Sequence, residues 1–153
     1  MKTKHLNPIL TATNEILENM LQVNPKKGDM VTKTGVISAK RANISISITG
    51  DLSGSILFSF SEDMALSMVE KMSGMEINEL DEFVTSAIGE LANIISGKAM
   101  TYLHEGNYTC DIAPPQVIVG DNQIISMDTT KVLAIPLKTE LGEFEVNISI
   151  TNP

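Results

Sequence analysis

Between Leu80 and Leu103 the chain reads LDEFVTSAIGELANIISGKAMTYL, a run in which Ser86, Glu90, Asn93 and Gly97 stand apart from apolar neighbours. On an α-helix, at about 100° per residue, these four fall within an arc of roughly 60°. Val84, Ala87, Ile88, Leu91, Ile95, Ala99 and Tyr102 lie on the other side. One face can therefore be buried while the opposite face presents a carboxylate and a carboxamide together. A carboxylate accepts hydrogen bonds and pairs with cations; an amide both donates and accepts, and does not titrate near neutral pH. Spacing alone is met more often by an ordinary solvated helix surface, where Glu and Asn are common. Two details fit such a surface less well. The arc has no Lys or Arg near Glu90, and Gly89 and Gly97 each cost a helix about 1 kcal/mol relative to alanine.

Other reactive groupings are weak. The two histidines, His5 and His104, are far apart and lack Cys or His neighbours at ligand spacing, so both are expected on the surface and no metal site is expected. Cys110 has no base and orienting group to make it a nucleophile. The segment Gly50-Asp51-Leu52-Ser53-Gly54-Ser55 lacks the lysine and the following helix of a phosphate loop and reads as a hairpin turn. Met64, Met68 and Met72 recur every four residues and read as core. Three Asn-x-Ser/Thr triplets, at Asn43, Asn107 and Asn147, have no meaning without secretion.

The bulk properties narrow the partners. With 153 residues, 42% apolar and 20% charged, the chain suits one globular domain spanning residues 1–153. A net charge of -8 without a basic cluster disfavours nucleic acid. No apolar run approaches a membrane span, and the first residues lack a signal-peptide core, so no membrane association is expected. A single cysteine rules out a disulfide scaffold and makes a reducing cytoplasm the expected location.

The elements that must position the polar arc follow from periodicity and punctuation. A first helix is predicted over residues 7–21, with Pro8 near its first turn. Strand-like segments follow at 31–40, 43–48 and 55–60, the last two forming an antiparallel hairpin with one buried face. Ser61 should cap a second helix that stops at Gly74. Asn78, with Asp81 three positions on, should cap the long third helix. After a polar loop closed by Pro114 and Pro115, strands are predicted at 116–119, 132–137 and 143–151. Each half thus reads helix, proline-bearing loop and three strands, with the second helix inserted between. Element order suggests an α+β fold in which long helices pack on an antiparallel sheet, with an internal pseudo-two-fold duplication (α-β-β-β twice).

The pattern Ser86-x-x-x-Glu90-x-x-Asn93, with Pro115 beyond the helix, resembles the signature of the CheC/CheX/FliY family of chemotaxis phosphatases. The segments NPILTATNEILENMLQVNPKKGD, ITGDLSGSILFSFS, LDEFVTSAIGELANIISGKAM and IAPPQVIVG, in that order, extend the resemblance to the CheX branch across nearly the whole chain. The resemblance implies a CheC-like fold and a phosphatase that hydrolyses the aspartyl phosphate of a CheY-like response regulator. Carried onto this sequence, Glu90 would pair with the regulator's active-site lysine and Asn93 would orient the attacking water. Ser86, Gly97 and Pro115 would contact the partner. The family's magnesium belongs to the regulator, so no cofactor is expected in this chain. Two-site members repeat Glu-x-x-Asn on the first helix. Here Glu15 is followed by Glu18, and Asn19 is preceded by Ile16, so one site per chain is expected. The single site points to the CheX branch, which implies a homodimer joined through sheet edges. The alternative reading is a non-catalytic module that binds a receiver domain or a flagellar switch component, because motor components share the fold.

Overall fold

The computed structural model describes residues 2–127 and 131–152. Its elements run α1 (Thr3–Leu21), β1 (Lys26–Lys27), β2 (Val31–Lys33), β3 (Val36–Ser38), β4 (Ala42–Gly50), β5 (Ser53–Phe60), α2 (Glu62–Ser73) and α3 (Glu82–Glu105). Then follow β6 (Cys110–Ile112), β7 (Gln116–Val119), β8 (Ile124–Ser126), β9 (Val132–Thr139) and β10 (Gly142–Thr151). One antiparallel sheet takes the order β1-β9-β10-β5-β4-β6, with β2 continuing beside β1 along β9 and β7 continuing beside β6 along β4. Strands β3 and β8 form a separate ribbon. Exchanging β1–β5 for β6–β10 leaves this strand order unchanged. Among the described residues each half carries five strands rather than the three predicted, the additions being two or three residues long.

Alternation explains how the sheet faces divide. Ile44, Ile46 and Ile48 of β4 pair with Phe58, Ile56 and Gly54 of β5, and Val146 and Ile148 of β10 pair with Phe58 and Ile56, so these residues share one face. All six of those Ile and Val side chains are buried with Phe58 under Ile9, Leu17 and Leu21 of α1, Met64 and Met68 of α2, and Ile88, Leu91 and Ile95 of α3. The methionines at 64 and 68 are core, as their spacing suggests.

The other face was expected to be open to solvent. Instead Ile37 of β3 is fully buried with Leu57 and Val132, and Ile125 and Met127 pack on them. The small Ser side chains of β4 and β5 leave room for the β3–β8 ribbon to lie there. Asn43 and Asn147 are also buried on this face. Their side-chain amides donate to backbone carbonyls: Asn43 to Lys40 at 2.7 Å and Ile118 at 3.2 Å, Asn147 to Leu57 at 3.3 Å.

The helix ends are set by local chemistry. Ser61 accepts from the Met64 N–H, and Gly74 closes α2 with φ of 72°, both where the sequence places them. The cap of α3 differs. Asp81, not Asn78, takes the extended cap conformation and accepts from the Val84 N–H at 3.0 Å. Helix α1 starts at Thr3, so Pro8 lies in its second turn rather than its first.

His5 is the other departure. It is only 4% exposed, not a surface residue, and its ring stands edge-on against Tyr108 with centroids 5.0 Å apart. Burial, followed by the charges of Lys4 and Lys2, holds its pKa below the usual 6.5. A group with a lowered folded pKa stabilises the neutral state and loses that contribution as pH falls through 6.5 towards the folded value. Thermal melts should therefore show Tm falling on acidification below that point. In His5→Phe this part of the slope should be absent.

Candidate functional site

Helix α3 lies across β4, β6 and β7 on the sheet and against α1 and α2 on its flanks. Its inward side is Val84, Ile88, Gly89, Leu91, Ala92, Ile95, Ser96, Ala99, Met100 and Leu103, all buried. That burial fixes which way the polar arc points. Ser86 and Glu90 are exposed, and Asn93 and Gly97 are half-buried at the surface. Glu90 and Asn93, one turn apart, face out together.

Neither side chain is engaged by any described residue. Among the described residues, the ion pairs are Lys33–Glu145, Arg41–Glu62 and Arg41–Asp121, so the Glu90 carboxylate is unpaired. Lys98, the cation next along α3, sits over the Tyr102 ring, 5.3 Å from its centroid. The Asn93 amide has no hydrogen-bond partner in the described structure. A Cβ added at Gly97 would meet nothing within 4 Å, so no contact inside the chain requires glycine there.

Pro115 is half-buried in the short link between β6 and β7. The strand it introduces flanks α3: Val117 Cγ2 lies 3.6 Å from the place a Gly89 Cβ would occupy. The Ser86, Asn93 side of the helix and the Pro115 strand thus form one surface. Three ties hold β7 there, namely the Asn43 bond to Ile118, the Gly120 N–H to the Arg41 carbonyl at 3.0 Å, and Arg41 Nη1 to Asp121 Oδ1 at 2.6 Å.

Tyr102 was expected on the buried side and is only half-buried. Its hydroxyl donates to Glu15 Oε2 across the α1–α3 contact. That bond, more than burial, pushes the tyrosine pKa up to about 12. Sequence spacing within one helix cannot reveal such a pair. His104 is exposed, and Cys110 lies in β6 rather than in a loop. No cluster of three or more His, Cys, Asp or Glu side chains placed to hold a metal occurs among the described residues.

The family model for the chemotaxis phosphatase CheX matches residues 43–138, which include the whole polar arc and Pro115. The chain belongs to this family. It is a phosphatase by that membership. The CheY-P phosphatase CheX of Thermotoga maritima is 36% identical over 153 residues, covering 98% of this chain and 97% of that protein. The crystal structure of a chemotaxis protein CheX from Desulfovibrio desulfuricans superposes with a TM-score of 0.87 at 35% identity, covering 96% of this chain and 99% of that one. A CheX–CheY complex with BeF3 and magnesium from Borrelia burgdorferi contains a chain with a TM-score of 0.82 and 29% identity, covering 95% and 97% respectively. No α-helix among the described residues is long and apolar enough to cross a membrane.

Proposed function

We propose that this CheX-family chain dephosphorylates the aspartyl phosphate of a CheY-like response regulator, with Asn93 and Glu90 as its acting residues. The observation that carries the reading is the unpaired carboxylate and free amide on one outward helix face. An amide is not a general base, but it can accept from a water and donate to a phosphoryl oxygen, holding the water in line. The water oxygen bonds to phosphorus as the bond to the regulator's aspartate breaks, releasing inorganic phosphate and a free carboxylate. Glu90 pairs with the regulator's lysine and fixes the approach. The magnesium that neutralises the phosphoryl oxygens belongs to the regulator in this reading, so this chain supplies placement and no metal of its own.

Ser86, Gly97 and Pro115 border the pair, and the open space over Gly97 lets a partner backbone approach closely. The chain works in the cytoplasm, where its regulator is, as a homodimer joined through sheet edges. The β2 edge carries the exposed Val31, with Met30 beside it.

The test is the loss of phosphate from an acetyl-phosphate-charged receiver domain with and without this protein. Acceleration supports the reading. Binding without acceleration would replace it with the non-catalytic module. In the same assay Glu90→Ala should raise KM about tenfold and reduce its dependence on salt, since a charge pair guides docking. Its kcat should change far less than its KM.

A further inference from the structure

The polar pair does not account for the apolar surface around it. Phe83 is 49% exposed although it lies on α3. At about 100° per residue its direction is within roughly 20° of Glu90, two turns nearer the helix N-terminus. Val117 and Val119 of β7 are 41% and 39% exposed. They pair with Ile44 and Ala42, which lie in the core beneath the helices, so both valines face the helical side of the sheet. Val117 sits beside Gly89. The chain reverses at Gly106 and runs back along α3 through β6 to β7. Val119 therefore lies further towards the end where Phe83 stands.

We infer that Phe83 on one flank of the polar arc and Val117 and Val119 on the other together form an apolar docking shelf that receives the regulator's receiver domain beside its phosphorylated site. This rests on the function proposed above. Continuity selects the occupant. A water held by Asn93 reaches a phosphoryl group only when the receiver surface bearing that group lies against the same helix face. Phe83 is about 10 Å along the axis from Glu90 at 1.5 Å per residue, inside the footprint of a standard interface of roughly 800 Å² per partner. Such interfaces combine a buried aromatic anchor with a polar surround. The β7 side of the shelf is also held in place before binding, since the ties from Asn43 and Arg41 fix β7 against β4. Asn93 and Glu90 act at the phosphoryl end, and the shelf supplies affinity.

The experiment measures dephosphorylation against receiver concentration for the parent, Phe83→Ala and Val119→Thr. Binding to the receiver charged with beryllofluoride and magnesium, and the mass of each variant in solution, are measured in parallel. Both side chains are substantially exposed, so the variants should keep the parent's Tm. Phe83→Ala should raise KM and Kd about tenfold with kcat within about twofold of the parent. Val119→Thr should move both in the same direction by less. Unchanged KM and Kd in an otherwise active enzyme would overturn the shelf while leaving the proposed function standing. A loss of dimer mass in Phe83→Ala would overturn it too, by showing that a second copy sits there. If the parent binds but does not accelerate, the catalytic reading fails, and the Kd of Phe83→Ala still decides the shelf.

Discussion

Asn93→Ala is expected to lose at least about 100-fold in kcat and to leave the fold intact. The size follows from the role: a group that only places a water contributes through geometry, and misplacing a reactant by about 1 Å costs on the order of 100-fold. The intact fold follows from the structure. Asn93 is half-buried, bonds to no described residue and lies outside the apolar core. Alanine also has the higher helix propensity, by roughly half a kcal/mol, so Tm should hold or rise slightly. Two further substitutions separate placement from mere polarity. Asn93→Gln moves the amide by one methylene, and Asn93→Asp keeps the shape but replaces the donor with a negative charge facing the phosphoryl oxygens. Both should lose most of the rate with Kd for the charged regulator largely kept in Gln. An alanine variant as fast as its parent would remove Asn93 from the mechanism.

Legibility in the sequence followed the range of the interactions involved. Helix α2 was readable to the residue because Ser61 and Gly74 act on backbone groups within one turn. The direction of the polar arc was readable because Val84, Ile88, Leu91, Ile95 and Ala99, apolar at helical spacing, determine which side of α3 is buried. Non-local features were not. Strands β1, β6 and β8 are two or three residues long, too short for alternation, and exist only because β9, β4 and β3 pair with them. His5 is buried because Tyr108, beyond the far end of α3, comes to lie against it. At the N-terminus of α3, Asn78 and Asp81 both carry the chemistry of a cap, and local propensity did not separate them. The site shows the same division. Ser86, Glu90, Asn93 and Gly97 share one helix and could be grouped from spacing. Val117 joins them only through the pairing of β7 with β4, and Phe83 stands out only because its neighbours in the fold leave it uncovered.

The largest effect on stability is expected from Gly54→Ala. Gly54 sits in β5 opposite Ile48 of β4 and Ile150 of β10, at the middle of the sheet, with φ of +148°. A Cβ there would overlap the carbonyl of Ser149 and come within 3.0 Å of Ile150 Cα. These are backbone atoms of a paired strand, so no rotamer change relieves the clash. β10 must part from β5 near Ser53–Ser55, and Ile48 and Ile150 then lose their packing. Backbone strain and lost burial together should cost at least about 3 kcal/mol. For a chain of this size that lowers Tm by about 10 °C. Gly74→Ala is the control: its φ is +72°, but nothing lies within 4 Å of an added Cβ, so only the left-handed backbone penalty of about 1–2 kcal/mol applies. Denaturant titration of the two variants separates collision from conformational strain. If Gly54→Ala cost no more than Gly74→Ala, the close approach of β5 and β10 would not be what requires glycine at 54. Gly54 takes no part in the polar arc, so activity per folded molecule should match the parent's.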